Sequence, residues 1–485
     1  MKKALSFISA LALLATATAC GGTKSSSDQG NGDTGSSQSE SSNGGGEKKE
    51  GKQTINLWSF TDEVPKMVEK YISLHPEFAE KYTVKTTIVP TTEGAYQPAL
   101  DKALTGGGSD APDMYCAEAA FVLKYTQGEM ASYAAPYKDL GIDVDNEIKA
   151  ADIAQYTVDI GSNNGNVVGL GYQATGGAFI YRRSVAKAAF GSDDPKTVEE
   201  KIGGGSNSWD KFFECAEELK GKGYGIVSGD GDIWHAVENS SPTGWVVDGK
   251  LNIDPKREEF LDLSKKLKDN GYHNDTEDWG DAWFADMKGE GSKEVLGFFG
   301  PAWLINYTLS QNCGSWKETG EKDENGDPIK ELDTSIGTYG DWAVCQPPIG
   351  FFWGGTWVLA NKDSKVKEGV GEIIDWITLN CTQDGLQYMW ANGTFDTSNP
   401  TKDCVASGTV LKMSNGEVDF LGGQNMFDAF EAGNKLANGK NLTPYDETIN
   451  QKWRGQVRQY TAGNKSRDEA IKDFKQEVAD ELDIH

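Results

Sequence analysis

Thr54-Ile55-Asn56-Leu57-Trp58-Ser59-Phe60 alternates apolar and polar side chains with the period of a half-buried β-strand. A helical pattern from Val64 to Leu74 follows it, and a second strand pattern runs from Tyr82 to Val89. Strand, helix and strand in that order form a βαβ unit. The next helical run, Tyr96 to Leu104, stops at Gly106-Gly107-Gly108, and Asp113-Met114-Tyr115-Cys116 reads as a short third strand. Alternation of this kind builds a sheet with helices on both faces, so the fold class is α/β.

Further along, Asn163-Asn164-Gly165-Asn166 is a turn signal between Tyr156–Ile160 and Val167–Tyr172, which predicts a hairpin-like pair of strands there. Ser208 caps a helix that reaches Lys222, and Pro255 opens another that ends near Asn270-Gly271. Val295–Phe299, Trp342–Cys345 and Thr356–Ala360 read as strands, and Val366–Leu379 as an amphipathic helix. Ser466 with Glu469 three residues on is a capping box for the last helix.

Upstream of the strand, Lys2 and Lys3 precede an uncharged apolar run that ends at Ala17-Thr18-Ala19-Cys20. This is the pattern of a signal peptide over residues 1–19, too short for a membrane span. From Gly21 to Gln53 almost every residue is small or polar, which describes a disordered linker over residues 20–53, a tether reaching about 30 Å. The remaining stretch of about 430 residues exceeds one core and suits two lobes with a cleft between them.

With 47 basic against 74 acidic residues the net charge is −27, which disfavours nucleic acid and anionic membrane surfaces as partners. Cys20 aside, cysteines 116, 215, 313, 345, 381 and 404 are scattered without a C-x-x-C pair, so zinc ribbons and redox motifs are absent. Their disulfide state is open, with Cys381 and Cys404 the closest pair in sequence. Four histidines form no catalytic pattern, and neither G-x-S-x-G nor H-E-x-x-H occurs. Asp323-Glu324-Asn325-Gly326-Asp327 fails the spacing of a calcium loop and reads as a solvated hairpin; no metal and no cofactor is expected.

Ala17-Thr18-Ala19-Cys20-Gly21 resembles a bacterial lipobox, with Ala17 where leucine is preferred; the resemblance implies that Cys20 carries the lipid at the mature N-terminus. From residue 54 onward the chain resembles the extracellular solute-binding proteins of family 1, the group that includes maltose-binding protein. The resemblance rests on Trp58-Ser59-Phe60-Thr61-Asp62, on Ala111-Pro112-Asp113-Met114-Tyr115, and on Gly169-Leu170-Gly171-Tyr172-Gln173 followed by Phe179–Ser184, with Gly171 where proline is usual. Gly300-Pro301-Ala302-Trp303 is similar to a family G-P-W with one residue inserted, and Gly354-Gly355-Thr356-Trp357 and Gly422-Gly423-Gln424-Asn425 resemble its sugar-binding branch.

The resemblance implies a two-lobed fold, with residues 54–168 and 348–380 in the N-terminal lobe and 169–347 and 381–485 in the C-terminal lobe. Hinges are expected near 165–172, 344–348 and 380. It also implies a lipid-anchored protein on the outer side of the cell membrane, the extracellular side in a Gram-positive host, which delivers a sugar or oligosaccharide to the permease subunits of an ABC importer. A monomer without catalytic residues is expected.

A sugar site needs aromatic planes for C–H faces and carboxylates or amides for hydroxyls. The chain has 14 tryptophans. Trp234, Trp303 and Trp353 are the expected stacking residues, with Phe60 in the cleft-facing loop; Asp62, Glu118, Gln173, Gln424 and Asn425 are the expected polar contacts. Trp209 and Trp357 are expected in the core, and Asn425 can equally start a helix. A surface-tethered glycoside hydrolase, and a binding protein for a polyamine or peptide, remain alternatives.

Overall fold

The computed structural model describes residues 51–322 and 326–485. The leader, Cys20, nearly all of the linker and residues 323–325 of the acidic turn lie outside them. The described residues form a two-lobed α/β protein built on two separate sheets.

In the first sheet the strands lie in the order Tyr82–Ile88, Gln53–Ser59, Met114–Glu118, Thr356–Ala360, Gly169–Gly171. Gln53–Ser59 runs parallel to both of its neighbours, and Thr356–Ala360 antiparallel to both of its own. Ile55 and Leu57 are fully buried. Asn56 projects to the other face, where its amide donates to the carbonyls of Ser109 (2.9 Å) and Ala111 (3.1 Å) and pins the loop that leads into Met114–Glu118. Gly169–Gly171, placed by the sequence reading at the start of the second lobe, is the edge strand of this first sheet.

The second sheet is antiparallel, in the order Gly297–Gly300, Ala178–Arg182, Trp342–Cys345. The two-residue alternation of strands divides its side chains. Phe179, Tyr181, Phe299, Ala343 and Cys345 enter a core shared with helices Asp210–Lys220, Pro255–Asn270, Asp446–Thr461 and Arg467–Leu482. Ile180, Phe298, Trp342 and Val344 face a core continuous with that of the first sheet.

The chain passes between the sheets at residues 172–177 and again at 346–355. The two crossings touch at Gly177, where a Cβ would stand 1.9 Å from the Phe351 ring, so only glycine fits. A third passage follows Gly408–Met413. That helix packs near Val144–Ala151 on the first-sheet side, whereas Asp446–Thr461 puts Ile449, Trp453 and Val457 into the second core.

Two sequence expectations change locally. Residues 155–160 form a helix rather than a strand, and the hairpin shrinks to Ser162–Asn163 against Asn166–Val167. The turn itself is where the sequence put it, with Asn164 and Gly165 both at positive φ, as a tight hairpin turn requires. The six cysteines among the described residues are all free, and Cys381 does not bridge to Cys404. Strands Ser315–Lys322 and Pro328–Asp333 flank the acidic turn as an exposed ribbon. No helix among the described residues is long and apolar enough to cross a membrane.

Candidate functional site

The second sheet delivers the central helix of the site. Strand Gly297–Gly300 ends against Pro301, and the chain winds from Ala302 to Asn312 with a wide π turn over Ile305–Leu309. Such turns recur at functional sites. Trp303 and Tyr307, four residues apart, share one face of this helix.

The Trp303 Nε1–H donates to the carbonyl of Trp353 (3.0 Å), and the two rings meet edge to face at 5.0 Å. Trp353 lies in the crossing segment, where its own N–H donates to the Thr175 carbonyl (3.1 Å) and its ring stacks on His235 at 4.6 Å. Trp279 completes the group: its ring is parallel to Trp303 within 6° at 6.2 Å, and at 71° to Trp353 at 5.7 Å. Three indoles therefore enclose a corner, two parallel and one across.

Trp279 has φ +67°, a left-handed conformation that a bulky residue adopts only when its surroundings impose it. The restraint comes from the preceding residues. Asp278 pairs with Arg454 and with Arg458 (3.3 Å), and Arg458 also holds Glu277 at 3.0 Å. Beneath the loop, buried Trp283 packs on Trp279 at 5.5 Å and donates its N–H to Asp232 (2.9 Å). Burial pushes the Asp232 carboxyl up to about 7.

Carboxyl groups face this aromatic wall. Glu118, the last residue of its strand, accepts the Ala120 N–H at 2.7 Å. Glu118 and Trp303 flank Gly354 together: a Cβ there would be 3.5 Å from Glu118 Oε1 and 3.6 Å from Trp303 Nε1. Burial lifts the Glu118 carboxyl to about 7, with Glu447 of the second lobe adding to the effect. Glu63, on the first turn of helix Glu63–Leu74, is pushed up to about 8 by burial and then by Asp403 and Asp62. Asp403 is 2 % exposed and accepts from the Gln173 amide at 2.7 Å; burial lifts it to about 7. Burial raises the Tyr307 hydroxyl, with Glu63 and then Asp403 adding to the effect.

Of the residues expected from sequence, Glu118, Trp303 and Trp353 come together. Gln173 lies nearby as the amide partner of Asp403. Phe60 packs its half-buried ring on Tyr96 (5.6 Å) and Phe121 (6.0 Å), and Asp62 is paired with Lys66 on the same helix. Trp234 is elsewhere. It is 1 % exposed in the second core against Phe260 at 4.9 Å, because helix Gly231–Ser240 turns residue 234 inward and His235 outward.

Both atoms of the Gln424 amide bond the backbone of Val344, at 2.9 and 2.8 Å, extending the edge of the second sheet. Asn425 accepts from the Phe427 N–H (3.1 Å) and so serves as the helix start. Sequence reasoning did not select Trp279, Glu63, Tyr307 or Asp403. For Trp279 its flanking by Asp278 and Gly280 was a usable signal, and for Tyr307 the four-residue step from Trp303; Glu63 and Asp403 carry none.

Residues 73–415 match the model of the family described as bacterial extracellular solute-binding protein. No curated protein matches the chain. Among solved structures, one extracellular solute-binding protein of family 1 superposes with a TM-score of 0.66 at 15% identity, over 88% of this chain and 99% of that one. The galacto-N-biose/lacto-N-biose I-binding protein of the Bifidobacterium longum ABC transporter gives 0.59 at 17% identity, over 90% and 98%. The cyclic α-maltosyl-1,6-maltose binding protein of Arthrobacter globiformis gives 0.58 at 13% identity, over 88% and 98%. At such identities the superpositions speak for the fold, and the family match covers well over half of the sequence. The chain belongs to the bacterial extracellular solute-binding proteins.

Proposed function

We propose that this protein captures a sugar or short oligosaccharide in the cleft between its lobes and delivers it to the permease subunits of an ABC importer. In this reading lipid on Cys20 tethers it to the outer side of the cell membrane. The observation that carries the reading is the indole corner of Trp279, Trp303 and Trp353 set against Glu118. Flat apolar faces suit the C–H surface of a sugar ring, and carboxyl groups suit its rim of hydroxyls. In this reading, closing of one sheet toward the other about residues 172–177 and 346–355 shuts the ligand in beside Glu118 and the indole corner. The relatives from Bifidobacterium and Arthrobacter, whose names record sugar ligands, lend support from the same fold.

The test is a thermal-shift screen of residues 51–485 against mono- and oligosaccharides, with polyamines and peptides as controls. A ligand at a hundredfold excess over its Kd stabilises the native state by about 2.7 kcal/mol, a shift of a few degrees. Stabilisation by one glycan family, with the glycan recovered intact, supports the proposal. A response to polyamines or peptides alone, or cleavage of the glycan, overturns it.

A further inference from the structure

We propose that the ligand is an amino sugar, a sugar or short oligosaccharide carrying a protonated amine, and that the amine sits in the indole corner against Glu118. The inference rests on the carbohydrate reading above and narrows its substrate class.

The shape of the corner suits a compact cation. The ring centroids of Trp279, Trp303 and Trp353 are 5.0, 5.7 and 6.2 Å apart. One nitrogen can therefore lie within about 6 Å of all three, the range over which an aromatic face attracts a positive charge, and indole attracts it most strongly. Trp279 and Trp303 are parallel within 6°, and Trp353 crosses them at 71° and 68°. Walls that meet so steeply wrap a small charged group, whereas a flat sugar ring is served by a single broad face.

The charge beside the corner is unbalanced. Glu118 Oε1 and Trp303 Nε1 both lie within 4 Å of a Cβ placed on Gly354. Among the described residues Glu118 accepts backbone N–H groups and forms no ion pair. The charged group acting on it from helix Asp446–Thr461 is Glu447, another acid. The cations nearby are committed: Arg454 and Arg458 pair with Asp278, and His235, whose ring stacks on Trp353, lies 3.4 Å from Glu238. An acid held against apolar rings with no cation of its own is completed by one from the ligand.

The amides tell the same story. Sugar hydroxyls need donors as well as acceptors, but the Gln173 amide donates to Asp403 and Gln424 bonds Val344 with both of its polar atoms. An ammonium group only donates, and a carboxylate with ring faces answers it fully.

Titration calorimetry decides the matter. Glucosamine, galactosamine and the β-1,4-disaccharide of glucosamine are compared with their N-acetyl and hydroxyl counterparts, which keep the ring and lose the charge; maltose, lacto-N-biose, putrescine and choline complete the panel. The best amine should bind about tenfold or more tightly than its neutral counterparts at pH 7. Glu118→Gln should shrink that ratio to about threefold or less. In the wild type, affinity for the amine should rise several-fold from pH 5 to pH 7 as Glu118 ionises, and Glu118→Gln should abolish the rise. A neutral sugar bound as tightly as any amine, or an amine preference that survives Glu118→Gln, overturns the inference and leaves the carbohydrate reading intact. Binding of putrescine or choline in place of every sugar, or silence across the panel, overturns both.

Discussion

Replacing Arg454 by methionine should release the loop that aims Trp279. Arg454 is 20% and Asp278 13% exposed, and they pair across the base of that loop. Burial acts to raise the Asp278 carboxyl, but Arg454 and then Arg458 outweigh it and hold the group below the usual carboxylate range. Removing one partner of a fully buried pair costs about 3–5 kcal/mol. Here Arg458 remains 3.3 Å from Asp278 and water reaches both groups, so about 2 kcal/mol is the expected loss. The positive φ of Trp279 stores roughly 1–3 kcal/mol, and without its anchor the residue should relax. One wall of the indole corner would go with it, weakening sugar affinity about tenfold. Urea unfolding followed by tryptophan fluorescence reads the first quantity and calorimetry the second. Unchanged stability together with unchanged affinity would refute the claim that this ion pair restrains Trp279.

Trp303→Ala should weaken the ligand about tenfold or more at little cost in stability, whereas Trp234→Phe should cost about 1–3 kcal/mol of stability and leave Kd within about twofold. The ligand-free protein should lose stability as pH rises from about 5 to about 8. Glu63, Glu118, Asp403 and Asp232 all have folded values raised to about 7 or 8, so the native state holds protons that the unfolded chain has already released. A melting temperature that climbs over this range would contradict those environments. Among the six cysteines of the described residues only Cys381 is not buried, so in the domain of residues 51–485 it alone should react rapidly with a thiol reagent, and all six should react after unfolding. A reducing agent should leave the melting temperature unchanged.

The elements legible in the sequence were those with a strong local period. Ile55 and Leu57 alternate with polar neighbours because one strand face is buried, and Pro255 and Gly271 punctuate a helix whose ends are fixed by backbone geometry. Residues 155–160 failed because a run rich in β-formers was drawn into a helix by burying Tyr156, Thr157 and Ile160.

Trp234 was misplaced for a simpler reason. Asp230-Gly231-Asp232 looks like a loop, but helix Gly231–Ser240 starts within it, and one residue of helical rotation exchanges Trp234 for His235. Gln424 was beyond reach, since a side-chain amide that mimics a neighbouring strand leaves no trace in spacing. Glu63 and Asp403 lie far apart in the chain, and the burial that raises both carboxyl groups leaves no mark in their local spacing.

Strand Thr356–Ala360 sits between Met114–Glu118 and Gly169–Gly171, with every residue of the second sheet preceding it in the chain. The first sheet therefore cannot be completed before all three strands of the second sheet have been made. Until residue 360 is available, Met114–Glu118 keeps an unpaired edge, and Gly169–Gly171 has no sheet to join. Closing so long a loop sets a high contact order and a slow final step. A chain cut short before Thr356 should accumulate as an exposed-edge intermediate prone to self-association. The sheet that carries Glu118 is thus completed by a strand that comes after all of the second sheet, the segment that follows Trp353.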